Sequence, residues 1–177
     1  MNRSSSTARL FFALLPGTTE RQAIEQHAAQ LSPEAGRKVR PENWHMTLQF
    51  LGEVPRDRID VLGLDCDTLS SPAFTLNIDR SGWWQKAATF WLGPAEAPQP
   101  LLGLARQLGS IAAKRKLVME KRKYLPHITL MRKVYDPPQG VIVRPFEWHA
   151  REFCLMQSET STDGVKYRKL ESWPLPP

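Results

Sequence analysis

Two short strings in the chain share one pattern, Trp44-His45-Met46-Thr47-Leu48 and Pro126-His127-Ile128-Thr129-Leu130, each containing His-x-Thr-Leu. With four histidines in all, composition alone yields two such matches with odds of roughly 3 in 10,000. Side chains alternate along a strand, so His45 and Thr47 project to one face and Met46 and Leu48 to the other; His127 and Thr129 are likewise set against Ile128 and Leu130. Each string thus presents an imidazole beside a hydroxyl, anchored by an apolar face. An imidazole has both protonation states within reach of neutral pH, so two of them suit acid/base work on one phosphorus centre. One takes a proton from the attacking oxygen and the other gives a proton to the leaving oxygen. The Thr47 and Thr129 hydroxyls and a cation would hold the non-bridging oxygens, where charge must be stabilised. Arg132 is the nearest candidate cation. It follows Thr129 by three residues, so strict alternation puts it on the other face unless a bulge or the strand's end re-aims it.

A lone His-x-Thr on a strand is more often structural than catalytic, and two histidines could also be zinc ligands. Zinc normally takes three or four ligands at recognisable spacing, and neither His-x-x-x-His nor Cys-x-x-Cys accompanies these two, so no metal is expected. His27 and His149 lack a threonine two residues on and are assigned no role. The glycine-rich patterns G-x-x-x-x-G-K and G-x-G-x-x-G are absent, which argues against nucleoside triphosphate hydrolysis, and no cofactor is implied.

The elements that must position these residues follow from the hydrophobic pattern. Arg9 to Leu15, ended by Pro16-Gly17, predicts a buried strand, and a helix should run from Thr18 or Thr19 to about Leu31, stopped by Pro33. Gly36 to Asn43 reads as a loop carrying Arg37, Lys38 and Arg40. Trp44 to Leu51 is the second strand, closed by Gly52 and Pro55, and Arg56 to Leu69 a helix with Ile59, Leu62, Cys66 and Leu69 on one face. Phe74 to Trp84 and Ala87 to Leu92 predict strands, and Leu101 to about Val118 the strongest helix. Leu125 to Lys133, Glu147 to Ser158 and Val165 to Trp173 predict the last strands. This order indicates an α+β protein with antiparallel sheets.

At 177 residues and a formal charge of +6, the chain fits one domain or two small packed lobes. Residues 1–8 are expected to be a flexible terminus and residues 9–177 a single bilobal domain. The longest apolar run, Leu10 to Pro16, is far too short to span a membrane and lacks a small-residue cleavage site, so no membrane association and a cytoplasmic location are expected. Cys66 and Cys154 stand far apart, outside any Cys-x-x-Cys, and read as two buried thiols. Six of the ten residues from Lys114 to Lys123 are Lys or Arg, a solvated helix end or a cationic funnel for phosphates. Candidate platforms for a terminal base are Phe12, Trp44, Trp83, Trp84 and Trp148, with Phe12 preferred because its strand should be central.

With these strings in place, the sequence resembles the 2H phosphoesterase superfamily, and within it the bacterial RNA 2',3'-cyclic phosphodiesterases of the LigT type, first described as 2'-5' RNA ligases. The likeness runs from Arg9-Leu10-Phe11-Phe12-Ala13-Leu14 through Leu51-Gly52-Glu53-Val54 and the second motif to Tyr167-Arg168-Lys169-Leu170 and Trp173. It implies a bilobal α+β fold of two pseudo-symmetric antiparallel sheet lobes, with outer helices and a central cleft. It further implies hydrolysis of a terminal 2',3'-cyclic phosphate of RNA to a 2'-phosphate without a metal. Carried over, His45 is the proton donor to the departing 3' oxygen and His127 the proton acceptor from water. Thr47, Thr129 and Arg132 then bind phosphate oxygens. The expected partner is RNA with a cyclic phosphate end, tRNA halves being one candidate. A monomer is expected because both motifs lie in one chain. Two alternatives stay open at this point: 2'-5' ligation as the main activity, and a non-enzymatic RNA-binding module.

Overall fold

The computed structural model describes residues 6–117, 122–162 and 164–177. The first strand, β1 (Thr7–Leu14), is apolar on both faces because both are covered. Leu10, Phe12 and Leu14 join the main core, while Phe11 and Ala13 pack with Cys154 and Met156 on the opposite face. The strand begins at Thr7, earlier than expected, because Ala8 is already buried and pairs with Val54. Of the terminus expected to be flexible, residues 1–5 lie outside the described residues.

Helix α1 (Thr18–Ala28) follows. After it the chain forms a two-residue strand, β2 (Arg37–Lys38), and a 3-10 turn, Pro41–Asn43, that delivers it to β3 (Met46–Pro55). Gly52 does not end β3. Its φ of +71° lies in the left-handed region that glycine adopts without strain, and it sits at a register irregularity beyond which pairing with β1 continues to Pro55. The helix expected from Arg56 opens as a 3-10 turn and becomes α2 (Ile59–Cys66).

One predicted strand proves to be two that belong to different sheets. Phe74 to Trp84 divides into β4 (Phe74–Ile78) and β5 (Arg80–Trp84) at Asp79, whose carboxylate accepts the Ala95 backbone N–H at 2.6 Å. β5 pairs with β6 (Thr89–Gly93), and α3 (Gln99–Lys114) packs behind β3. Val118, the expected end of that helix, lies outside the described residues. β7 (Ile128–Arg132) carries the second motif. The predicted Glu147 to Ser158 strand breaks at Arg151 into β8 (Phe146–Ala150), which pairs with β4, and β9 (Glu152–Ser161), which pairs with β1. The Arg151 carbonyl accepts instead from the Leu175 N–H at 2.7 Å, and β10 (Gly164–Pro174) completes the pairing.

The main strand order is β10-β9-β1-β3-β7-β6-β5, with β2 beside β7. It consists of two halves, β10-β9-β1-β3 and β7-β6-β5 with β2. They meet at a single rung, Met46 opposite Ile128. The ladder stops there, so the two motif strands diverge from a common point. Behind them Leu48, Leu104, Leu108, Ile111 and Leu130 build the core, and the helices cover that side. The expected α+β fold with antiparallel strands in halves is the one observed.

Candidate active site

The rung between the halves joins the residue after each motif histidine. Residues opposite one another in an antiparallel pair share a face. One step to either side of the rung, His45 comes opposite Thr129 and Thr47 opposite His127. All four therefore face the gap between the halves, while Met46 and Ile128 turn inward and are fully buried. One rung thus brings together residues 80 or more positions apart in the chain.

Both imidazoles are held in the same way. His45 Nδ1 lies 2.7 Å from the Asn43 carbonyl and His127 Nδ1 lies 2.8 Å from the Leu125 carbonyl, each two residues upstream. A carbonyl only accepts, so Nδ1 carries the hydrogen in each ring and Nε2 is the nitrogen that exchanges a proton. His45 Nε2 is 3.0 Å from Thr47 Oγ1, the hydroxyl its own motif supplies. The support extends further. Asn43, itself buried, donates from Nδ2 to the Val165 carbonyl of β10 at 2.8 Å, so the peptide that orients His45 is tied to the sheet. Tyr124, just ahead of the second motif, donates its hydroxyl to the Thr47 carbonyl at 3.0 Å, fastening one motif to the other.

Aromatic rings wall in both histidines. Phe11 and Tyr167 lie 4.9 and 5.0 Å from the His45 ring, and Trp84 and Trp91 lie 4.5 and 6.4 Å from the His127 ring. Desolvation among these groups lowers the His45 pKa from 6.5 to about 4, the Asn43 carbonyl opposing and the charges of Arg132 and His127 adding to the shift. In the free protein at neutral pH, His45 is therefore uncharged. On the other side, Trp91 lies over Gly82, where an added Cβ would overlap its ring, and Arg80 stacks on the same indole 5.4 Å from the ring centre. The buried Trp91 Nε1–H has no partner among the described residues.

Arg132 is re-aimed by a bulge. β7 pairs Thr129 with Trp91 but Met131 with Phe90, so Leu130 is an extra residue. Leu130 and Met131 both turn into the core, and Arg132 emerges on the Thr129 face, exposed and paired with Thr89. Its charge reaches His45, as the shift of that histidine records.

Phe12 is not a site residue. It is fully buried, packed against Phe153 and Trp173 on the core face of β1, where no base can stack on it; its neighbour Phe11 faces His45. Trp44 and Trp148 are also core. Trp83 donates its ring N–H to the Val134 carbonyl, and Trp84 alone of the candidate platforms touches a motif histidine. The basic segment before the second motif does not act as one block. Lys114 and Arg115 turn to Asp65 at 3.2 and 2.6 Å, clamping α3 to α2, and Lys121 lies outside the described residues. Residues the sequence reading passed over are Asn43, Phe11, Tyr167 and Trp91. Asn43 could have been found from its place two residues before the motif histidine, the same offset as Leu125.

Two motif strands that meet at one rung, each led by a half-buried histidine braced through Nδ1, bring two imidazoles, two hydroxyls and a guanidinium to one side of the sheet. The chain belongs to the LigT-like phosphoesterase family: the family model for LigT-like phosphoesterases matches residues 17–91, which include the first motif. An Escherichia coli K12 protein named RNA 2',3'-cyclic phosphodiesterase is 38% identical over 97% of this chain and 98% of its own length. A Thermus thermophilus protein of the same name is 30% identical over 94% of this chain and 90% of its own. Among solved structures, E. coli LigT complexed with 3'-AMP superposes with a TM-score of 0.87 at 34% identity, covering 96% of this chain and 98% of that one.

Proposed function

We propose that the protein hydrolyses 2',3'-cyclic phosphate ends of RNA to 2'-phosphates, with His45 and His127 as acid and base. The observation that carries this reading is the matched bracing of the two rings, each with Nδ1 on a carbonyl two residues upstream, which makes Nε2 the proton-exchanging nitrogen. In this mechanism water attacks phosphorus and gives its proton to His127. As the bond to the 3' oxygen breaks, His45 gives a proton to that oxygen, so charge and protons balance. Thr47, Thr129 and Arg132 hold the non-bridging oxygens. No step calls for a metal.

His45 is neutral in the free protein, and a proton donor must first be charged. A phosphate anion seated between Arg132 and the two rings supplies the missing counter-charge and raises the His45 pKa on binding. A desolvated imidazolium is also a stronger acid than a solvated one, which suits a poor leaving alkoxide. The substrate is RNA, with tRNA halves a physiological candidate. We infer that the protein acts as a monomeric unit in the cytoplasm, a reading supported by a site assembled from one chain and by two buried, unbridged thiols.

End-labelled RNA carrying a cyclic phosphate, incubated with the protein in chelator, tests the proposal. The expected product is a 2'-phosphate. A 3'-phosphate product, or no turnover, refutes it. Adding a partner RNA with a 5'-hydroxyl shows whether ligation competes.

A further inference from the structure

The two-residue strand β2 places Arg37 directly opposite Arg132 on β7, and both are exposed. Like charges facing each other across an antiparallel pair are unfavourable. Neither guanidinium has a hydrogen bond or ion pair with a described residue that would offset this. The close approach is nevertheless built in: at Gly36 an added Cβ would lie 2.7 Å from the Arg132 carbonyl oxygen and 3.0 Å from Val134, so only glycine lets β2 sit this near β7. Opposite residues share a face, so Arg37 projects to the same side as Arg132 and Thr129. Of the two, Arg132 bears electrostatically on His45. Arg37 stands one strand spacing from it, about 4.8 Å, on the strand beside β7.

We propose that Arg37 binds the phosphodiester next to the cyclic end, so that Arg132 and Arg37 read two successive phosphates of one RNA strand and the protein favours oligonucleotides over cyclic mononucleotides. The proposal rests on the cyclic phosphodiesterase reading above. Two long, exposed arginine side chains on neighbouring strands can reach consecutive phosphates of one strand, and an anion across them relieves the repulsion that the pairing creates. A mononucleotide has only the reacting phosphate, so it gains nothing from Arg37.

The experiment compares wild type, Arg37→Gln and Arg37→Lys on 2',3'-cyclic AMP and on a short RNA with a cyclic end. Arg37→Gln should lower kcat/KM on the RNA about tenfold, through KM, which corresponds to one charge-assisted hydrogen bond. On the mononucleotide it should stay within about twofold of wild type. The logarithmic salt dependence on the RNA should become shallower by about 0.7, the contribution of one phosphate contact on a single strand, and Arg37→Lys should retain most of it. Tm should not fall in Arg37→Gln, because a like-charge pair is removed. Equal losses on both substrates would assign Arg37 to the reacting phosphate, and no loss on either would make it a solvated side chain; each overturns the proposal. Binding of an RNA ending in a 2'-phosphate, followed by fluorescence anisotropy against salt, needs no turnover. Equal salt slopes for wild type and Arg37→Gln there overturn the proposal even if hydrolysis fails, whereas absence of turnover in wild type counts against the activity alone.

Discussion

The desolvation of His45 has a consequence for stability that can be measured without substrate. Its pKa falls from 6.5 to about 4 on folding, so the native state binds fewer protons than the unfolded state between those values. The protonated ring is favoured in the unfolded chain, so the stabilisation is complete above pH 6.5 and is lost as pH falls toward 4. Between pH 7 and pH 4.5 the linkage amounts to about 2 kcal/mol. His45→Gln removes the titration but keeps a polar side chain at the site. Urea unfolding of both proteins at about pH 7 and 4.5 reads the difference, the wild type losing about 2 kcal/mol more than the variant over that range. The Hε1 resonance of His45 should titrate near pH 4 in the free protein and shift to higher pH with saturating inorganic phosphate. Parallel pH dependences in the two proteins, or a free-protein midpoint near 6.5, would refute the desolvated-imidazole account and with it the need for substrate to charge the acid.

Four further substitutions separate the parts of the site. Phe12→Ala should destabilise the fold by about 3–5 kcal/mol and leave the His45 titration in place, whereas Phe11→Ala should raise the His45 pKa by admitting water, an NMR titration distinguishing the two. Asn43→Ala removes the tie to Val165 and should lower kcat about tenfold with little change in KM, because the carbonyl orienting His45 is loosened; steady-state kinetics reads the split. Gly82→Ala drives a methyl into the Trp91 ring and should cost about 1–3 kcal/mol in urea unfolding and reduce turnover through the displaced His127 wall.

Much of this site is legible in the residues alone. The doubled His-x-Thr-Leu names four side chains, and strand alternation puts each imidazole on the face of its hydroxyl, as the 3.0 Å contact of His45 Nε2 with Thr47 Oγ1 illustrates for the first motif. Alternation fails where it has no phase to detect. Leu10 to Leu14 is apolar at every position because both faces of β1 are covered, so nothing in the pattern distinguishes Phe11 from Phe12. The re-aiming of Arg132 requires a bulge, which a sequence can demand but only the pairing with β6 can locate. The alternation of Phe74, Leu76 and Ile78 ends at Asp79, but no glycine or proline marks a division there; the chain changes sheets where that carboxylate grips a distant backbone amide. The cations before the second motif are countable in sequence, yet Asp65, some 50 residues away, takes two of those charges out of any funnel.

The central claim is that two histidines from diverging strands act as one acid/base pair, and kcat of His45→Ala, His127→Ala and the double variant on one cyclic-ended RNA tests it most directly. Each single substitution should reduce kcat by about 10²–10⁴, and the double variant should be little worse than the weaker single, because the two rings work as a unit. Turnover unchanged in either single variant, or losses that simply multiply in the double, would contradict the pairing.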